Sequence, residues 1–491
     1  MACSKRSGLI TGAVLGALLA LLGGVLIPVG KNIISTSIVK ESVLENQTTA
    51  YENWIKVGGT VYMQIWLFDV KNPVEVILYG LSPTVAQKGP YTYKVRYLPK
   101  ENITANPNNT ISFSVPKEAI FVPEMSIGNE EDKITTLNLV VAGAPALVPN
   151  SVLSFLNGII KKQNSTLFQQ RTVKEIVWGY SDPVLKALTN LSLIKDDMTG
   201  VMYPYNGTAD GLYDIFTGKD DIGKRGIIDK WKGQRDVSYW NDKYCNMING
   251  TDGSSFPPFV DKKKLLYFFP SDICRSIYAK FEKEFKLKGI SVYRFKIPPE
   301  TFASPVVNPE NKCFCDEKKD DCSLAGILDI SSCKEGLPVY ISLPHFLYGS
   351  YSLINEVNGI NPNEFEHSIY LDVEPMTGFS LSFAKRLQIN FKISPAKQID
   401  ALSKIKKPIM FPLLWLNETA SLDDATAEEL KASLNSKVRL LGILELSFIC
   451  IGVGIFFGCI VALLVMDRKQ KNEKDKYAEH INLDRLKENK F

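Results

Sequence analysis

The chain has 491 residues, 57 Lys and Arg against 53 Asp and Glu, and a formal net charge of +4. That balance excludes capture of nucleic acid by a strong basic excess, and the apolar and aromatic content is that of a folded protein rather than a disordered one. What departs from an ordinary soluble chain is where the apolar residues lie.

Leu9 to Val29 is 21 residues without a charge, and Leu446 to Met466 is another 21. At about 1.5 Å rise per residue, each is long enough to cross hydrocarbon, where only a helix satisfies its own backbone. The first is longer than the apolar core of a cleaved secretion signal, about 7–15 residues, and reads as an uncleaved signal-anchor. Its Gly8, Gly12, Gly16, Ala20 and Gly24 recur at four-residue spacing, a small-residue stripe that permits close helix contact within the chain or in a dimer. Gly454 and Gly458 stand in the second span, and Glu445 sits at its outer edge as a boundary residue. Lys5 and Arg6 precede the first span, while Arg468, Lys469, Lys471, Lys474 and Lys476 follow the second. The positive-inside rule therefore puts both termini in the cytoplasm. The expected organisation is a cytoplasmic tail 1–8, a transmembrane helix 9–29, an extracellular domain 30–439, a transmembrane helix 440–466 and a cytoplasmic tail 467–491.

Eight N-x-S/T triplets begin at Asn46, Asn102, Asn108, Asn164, Asn190, Asn206, Asn249 and Asn417. All lie between the spans, which agrees with an external middle region that is N-glycosylated.

Within that region YTYKVRY (from Tyr91) alternates with period two, Tyr91, Tyr93, Val95 and Tyr97 sharing a face. Asn150 as N-cap, with Val152, Phe155, Leu156, Ile159 and Ile160 at helical spacing, predicts a helix over Ser151 to Lys162. Ile273, Ile277, Tyr278, Phe281 and Phe285 predict a second over Asp272 to Phe285. ISVYRFKI (from Ile290), PVYISL (from Pro338) and LQINFKI (from Leu387) read as strands, the last with Leu387, Ile389, Phe391 and Ile393 on one face. Thr426 to Leu434 predicts a short helix leading to the second span. The sum is a β-rich, antiparallel α+β domain with added helices and no composition break that marks a linker.

Nine cysteines fall in three groups. Cys245, Cys274, Cys313, Cys315, Cys322 and Cys333 lie in the external region, and an even number in an oxidising compartment implies three disulfides, with 15 pairings open. The C-x-C opening at Cys313 departs from zinc-ligand spacing, so no metal is expected. Cys450 and Cys459 read as packing residues within the second span. Cys3, beside basic residues at the inner membrane face, reads as an S-acylation site, whereas Ala2 excludes N-myristoylation.

No phosphate loop, dinucleotide fingerprint, H-E-x-x-H or nucleophile elbow occurs, so no enzymatic activity and no cofactor are expected. His345, in LPHFLY, reads as a satisfied core histidine. A two-span ligand-gated channel shares the layout, but both spans are almost wholly apolar.

Several long segments resemble the class B scavenger receptor family: GLITGAVLGALLA from Gly8, FDVKNP from Phe68, GPYTYKVR from Gly89, NGTADGLYDIFTGKD from Asn206, INGTDGSSFPPF from Ile248 and SDICRSIYA from Ser271. CFC at Cys313, CKEGLPVYISLPHFLYGS from Cys333 and YLDVEPMTGFSLSFAKRLQIN from Tyr370 complete the set. The resemblance implies a large ectodomain with an antiparallel β-barrel core, short helices, an apical helical bundle and an apolar tunnel. It implies the pairing Cys245–Cys313, Cys274–Cys333 and Cys315–Cys322. It implies a plasma-membrane receptor, also found in Golgi and endosomes, for long-chain fatty acids, oxidised lipoproteins, anionic phospholipids and thrombospondin. Fatty acid uptake, adhesion, endocytosis, homo-oligomers and coupling to cytoplasmic signalling kinases come with it. Lys162 matches a lysine near the tunnel's apical entry, with Lys161 adding charge; Asn164 stands where the family has a second lysine. A lysosomal trafficking receptor of the same family is the alternative, and needs an acidic dileucine signal that the 25 residues after Met466 lack. That tail is charged, without cysteine, and is expected to be disordered or weakly helical.

Overall fold

The two apolar stretches form helices Lys5–Ser42 and Asp424–Glu488 in a computed structural model that describes residues 5–55 and 60–488, with 433–440 and 482–488 described by backbone alone. The second helix is continuous, so the short helix expected at Thr426 to Leu434 is its first part, and the charged tail, expected to be disordered or weakly helical, is helical to Glu488. Two compact units result: the paired terminal helices, and residues 41–424.

The terminal helices run antiparallel in contact. Gly12 faces Cys459, Gly16 faces Gly452 and Phe456, Gly23 faces Ile449, and Gly30 faces Leu441. A Cβ at Gly16 would sit 2.7 Å from the Phe456 amide nitrogen, and one at Gly452 would sit 2.4 Å from that of Ala20, so side chains here force the backbones apart. The stripe is therefore intramolecular, but it is not the straight four-residue ladder expected. Gly8, Gly24, Gly454 and Gly458 have no neighbouring atom within 4 Å of where a Cβ would lie. Each four-residue step overshoots a full turn by about 40°, so the stripe walks off the contact and Gly23 and Gly30 replace Gly24. Arg6 and Asp467 pair at 3.6 Å at one shared end.

The middle unit is built on an 11-stranded antiparallel sheet. Its path runs Leu266–Phe268, Ile277–Leu287, Ile290–Lys296, Tyr370–Val373, Ser380–Ile393, Ile409–Ser421, Val61–Val70, Val85–Tyr97, Lys117–Phe121. Val339–Ser342 and Leu328–Asp329 branch from Ser380–Ile393. A separate four-stranded sheet joins Glu101–Ala105, Thr110–Ser114, Tyr213–Phe216 and Ile228–Trp231. The class is mixed α+β, as the alternating segments imply.

Ile409 to Asn417 is buried throughout because the sheet is covered on both faces. Phe411, Leu413 and Trp415 pack into a cluster with the helices Leu139–Leu147 and Asn150–Lys162, while Leu414 and Leu416 point into a different cluster. A register shift opposite Pro412 breaks the single face expected for Leu387, Ile389, Phe391 and Ile393. Leu387 joins one cluster, Phe391 and Ile393 another, and Ile389 borders both.

The helix expected over Asp272 to Phe285 is absent. Ser271–Ile273 is a short turn closed by Cys274 at φ 59°, and Ile277–Leu287 is a strand. A four-residue apolar spacing is also an even spacing, so Ile277, Phe281 and Phe285 suit one strand face as well as a helix stripe. Lys288 and Gly289, at φ 48° and 85°, then turn the chain into a hairpin with Ile290–Lys296. The helix Asn150–Lys162 forms, but Pro149 holds the N-cap position. Its buried stripe is Leu153, Leu156 and Ile160, leaving Val152 and Phe155 exposed.

The helix pairing makes a direct prediction. A Cβ at Gly12 lies 2.8 Å from Cys459 Sγ, so a Gly12→Cys variant should crosslink to Cys459 on mild oxidation. After proteolytic cutting of the middle unit, the two terminal fragments should then migrate together on a non-reducing gel and separately once reduced.

Candidate functional site

One face of the sheet carries apolar side chains across several strands: Met63 and Ile65, Tyr91, Tyr93 and Val95, Leu414 and Leu416, with half-buried Phe121, Phe383 and Ile389 beside them. Helix Val173–Trp178 packs against this face through Val173, Ile176 and Val177, its start held by a reciprocal cap between Thr172 and Glu175.

The strand register carries charge into the same face. Lys385, Glu418, Met63, Tyr93 and Phe121 are successive cross-strand partners in one row. Lys385 makes an ion pair with Asp272 and lies 3.4 Å from Glu418 Oε2. Lys385 and Asp272 keep 30% and 44% of their side-chain surface accessible to water. Burial alone would raise the Asp272 carboxyl, but the Lys385 charge and hydrogen bond outweigh it and hold it low. Burial likewise disfavours the Lys385 charge, and Asp272 and Glu418 outweigh it to raise that group.

A second constellation is wholly buried. His345 and His367 stack with ring centroids 4.8 Å apart and planes 12° apart, beside Trp415, which itself stacks on Trp66 at 3.8 Å. Nδ1 of His345 accepts from the Asn361 amide at 3.0 Å, and Nδ1 of His367 accepts from the Asn363 amide at 2.9 Å. Both rings therefore carry their proton on Nε2, and His345 Nε2 donates to Gln87 Oε1 at 2.6 Å. Burial pushes His345 down to about 4; burial, then the neighbouring His345 and Arg386, pushes His367 down to about 3. His345, Phe346 and Tyr348 all have left-handed backbone, φ 54°, 56° and 62°, in a run with no glycine until Gly349. The His345 amide donating to Gln388 Oε1 at 2.7 Å helps hold that strained turn.

The residues singled out for ligand capture lie elsewhere. Lys161 and Lys162 end the helix Asn150–Lys162. They are not equivalent: Lys161 pairs with Asp400 at 2.5 Å, both exposed, and Asn157 exchanges two hydrogen bonds with the same aspartate. Lys162 is exposed and makes no ion pair among the described residues. Asn164 follows at φ 51°, a left-handed position that asparagine tolerates better than lysine. The six cysteines of the middle unit join as Cys245–Cys313, Cys274–Cys333 and Cys315–Cys322. Of the sequon asparagines, Asn46, Asn102, Asn108, Asn164, Asn190, Asn206 and Asn249 are exposed. Asn417 departs: it is buried, its amide donates to Gln64 Oε1 at 3.2 Å and it accepts from Arg386, so a glycan there requires that amide to be released. Cys3 lies outside the described residues. No cluster of metal-ligating side chains occurs among the described residues.

The sequence model of the CD36 family matches residues 14–463. The chain belongs to the CD36 family. Its relatives include lysosome membrane protein 2 of Rattus norvegicus, 35% identical over 437 residues, 88% of this chain and 89% of that one. The Homo sapiens protein of the same name is 35% identical over 440 residues, again 88% and 89%. Scavenger receptor class B member 1 of Sus scrofa is 32% identical over 478 residues, 94% of this chain and 92% of the relative.

CD36 family membership makes the chain a class B scavenger receptor by family, and places the two terminal apolar helices in a two-span membrane protein. The internal charged row and the histidine stack were not visible in the sequence. The only local signal was an ionisable residue, Lys385 or Glu418, standing at an inward position of an alternating strand.

The histidine stack sets a pH response. A histidine whose folded value is lowered stays neutral while the unfolded chain takes up protons, so stability is retained above about pH 6.5 and falls as pH drops toward 4. Between pH 7 and pH 5 the pair should cost about 2–4 kcal/mol. Denaturant midpoints of the detergent-solubilised chain should shift accordingly, and a His345→Gln, His367→Gln double variant should lose most of that pH dependence.

Proposed function

We propose that this chain is a cell-surface lipid receptor of the fatty-acid-translocating branch of the family, the branch of platelet glycoprotein IV. It binds long-chain fatty acids, oxidised lipoproteins, anionic phospholipids and thrombospondin, and promotes fatty acid uptake, adhesion, endocytosis and signalling through cytoplasmic kinases. In this reading residues 30–439 are extracellular, both tails are cytoplasmic and the chain is a receptor and not an enzyme. The observation that carries the reading is the apolar sheet face on which half-buried Phe121, Phe383 and Ile389 lie, in a chain whose relatives include scavenger receptor class B member 1. A C16 chain buried in an apolar environment gains on the order of 10 kcal/mol gross at about 0.8 kcal/mol per methylene, before ordering costs. Exposed lysines contribute about 1 kcal/mol or less each, so apolar enclosure sets affinity and surface charge sets encounter.

Anionic particles are received at the helices Leu139–Leu147 and Asn150–Lys162, where Leu147, Val152 and Phe155 are exposed apolar groups and Lys162 is the cation not already matched by an acid. The lysosomal reading has one specific support, the similarity to lysosome membrane protein 2, and is separated from the first by where the protein resides in cells.

Lipid extraction and mass spectrometry of the purified full chain should recover long-chain acyl species; a chain that yields none and binds no fluorescent fatty acid is not this receptor. Lys162→Gln should weaken capture of anionic vesicles severalfold, most at low salt, and Lys161→Gln should do less because Asp400 already neutralises that charge. Equal effects of the two variants would remove Lys162 from the capture site. Antibody access to the tail after Met466 on intact cells would reverse the proposed orientation.

A further inference from the structure

The turn from Asp261 to Lys264 is exposed at every residue. Asp261 shapes it: its Oδ1 accepts the Lys263 amide at 2.9 Å, and its carbonyl accepts the Lys264 amide at 3.0 Å. Three consecutive lysines are thereby held in one bend. Just upstream, the Phe259 and Val260 amides donate to the Met376 and Pro375 carbonyls, which ties the turn to the body of the middle unit. Just downstream, Leu266 pairs with Ala279, which sets the turn beside the strand Ile277–Leu287. Lys262 reaches across to Glu284 at 3.7 Å and covers the rings of Phe281 and Tyr293, each centred 5.7 Å from its ammonium.

The strand brings more lysines to the same place. Leu266–Phe268 covers only Ile277, Tyr278 and Ala279, so from Lys280 to Leu287 no strand lies along the outer edge among the described residues. Lys280, Lys283 and Lys286 are exposed there. Lysines on a free edge guard against pairing with a foreign strand, but that role does not account for a lysine turn set beside the edge. The acids around them are engaged: Glu284 by Lys262, Glu300 by Lys280, and Glu282 and Glu364 by Lys296. Lys263, Lys264, Lys283 and Lys286 make no ion pair among the described residues, and against them stands the Asp261 carboxylate, which accepts a backbone amide. No sequon begins between Asn249 and Asn417, and the Asn249 amide is bonded to Ser276 Oγ, at the end of the strand remote from Lys286.

We propose that the lysine turn and the open edge from Lys280 to Leu287 bind a linear sulfated polysaccharide outside the cell. This rests on the extracellular placement of the middle unit given above. The cations do not converge on one point, as a single phosphate or carboxylate would need; Lys280 to Lys286 alone spans about 20 Å at about 3.4 Å per residue. Charges of one sign strung along a line suit a long polyanion, whose many contacts release counterions together, whereas one exposed lysine holds one anion only weakly. A lipid particle fits less well, because Phe281, Phe285 and Leu287 are half-buried and offer no anchor like the exposed Phe155. A nucleic acid fits less well, because Lys262 caps the Phe281 and Tyr293 rings on which bases would stack.

The test measures binding of a heparin oligosaccharide, the same oligosaccharide after desulfation, and a single-stranded DNA of equal charge to the full-length chain in nanodiscs of zwitterionic lipid. Wild type should bind heparin, lose it steeply as salt rises, and bind the desulfated form about tenfold more weakly or worse. The triple variant Lys263→Gln, Lys264→Gln, Lys286→Gln should weaken heparin about tenfold or more at low salt and flatten the slope of log affinity against log salt by about two to three, close to one per lysine. Lys263→Arg, Lys264→Arg, Lys286→Arg should keep the binding, and Lys161→Gln with Lys162→Gln should change it by less than about twofold. Heparin affinity unchanged in the glutamine triple, lost as well in the arginine triple, or lost equally in the Lys161, Lys162 pair overturns the assignment. Desulfated oligosaccharide or DNA bound as tightly as heparin overturns it without any variant. Wild-type chain that binds no heparin in nanodiscs overturns the patch itself. Heparin bound in nanodiscs and not by intact cells expressing the chain overturns the extracellular placement instead.

Discussion

The middle unit hangs on one ladder, the pairing of Ser380–Ile393 with Ile409–Ser421, which runs through twelve registered residue pairs from Ser382–Ser421 to Ile393–Ile409. Because both faces of this ladder are covered, its two sides serve different purposes. One side receives the helices that end in Lys161 and Lys162. The other forms the apolar wall on which Lys385 and Glu418 meet. The same ladder carries Gln388, which holds the strained turn at His345, and Trp415, against which the histidines lie. A shift of one residue in this register would turn Lys385 and Glu418 outward and the apolar residues of both strands the wrong way.

Charge inside an apolar wall is tolerated because it is organised. Lys385 answers two carboxylates, and the ion pair with Asp272 ties the sheet to a turn beside Cys274, itself bonded to Cys333. That pair keeps 30% and 44% of its side-chain surface accessible, so it contributes position more than stability. The exposed pair of Lys161 with Asp400 is the opposite case: cheap to form, screened by salt, and a modest tether between a helix and a loop.

In the terminal helices the constraint is contact distance. Gly16, Gly23 and Gly452 let two backbones touch where lipid offers no hydrophobic drive for association. The antiparallel pairing brings Arg6 and Asp467 to one end, which is the geometric counterpart of two termini on one side of a bilayer.

Much of this was readable from residue order alone. Two uncharged stretches of 21 residues demand helices, because hydrocarbon cannot satisfy a backbone in any other open form. Alternation in YTYKVRY and ISVYRFKI demands strands, since inward and outward neighbours follow the pleat. Tertiary structure decided the rest. The segment Ile277–Leu287 reads as a helix from residue order because a spacing of four satisfies both periods, and only the Lys288–Gly289 hairpin decides between them. Whether Lys161 or Lys162 keeps its charge free depended on Asp400, more than 230 positions away. The inward row of Lys385, Glu418 and Asp272, and the approach of His345 to His367, arise from cross-strand register and chain reversal. Local sequence encodes which way each side chain points along its own strand; which residue it meets there is set only when distant strands pair.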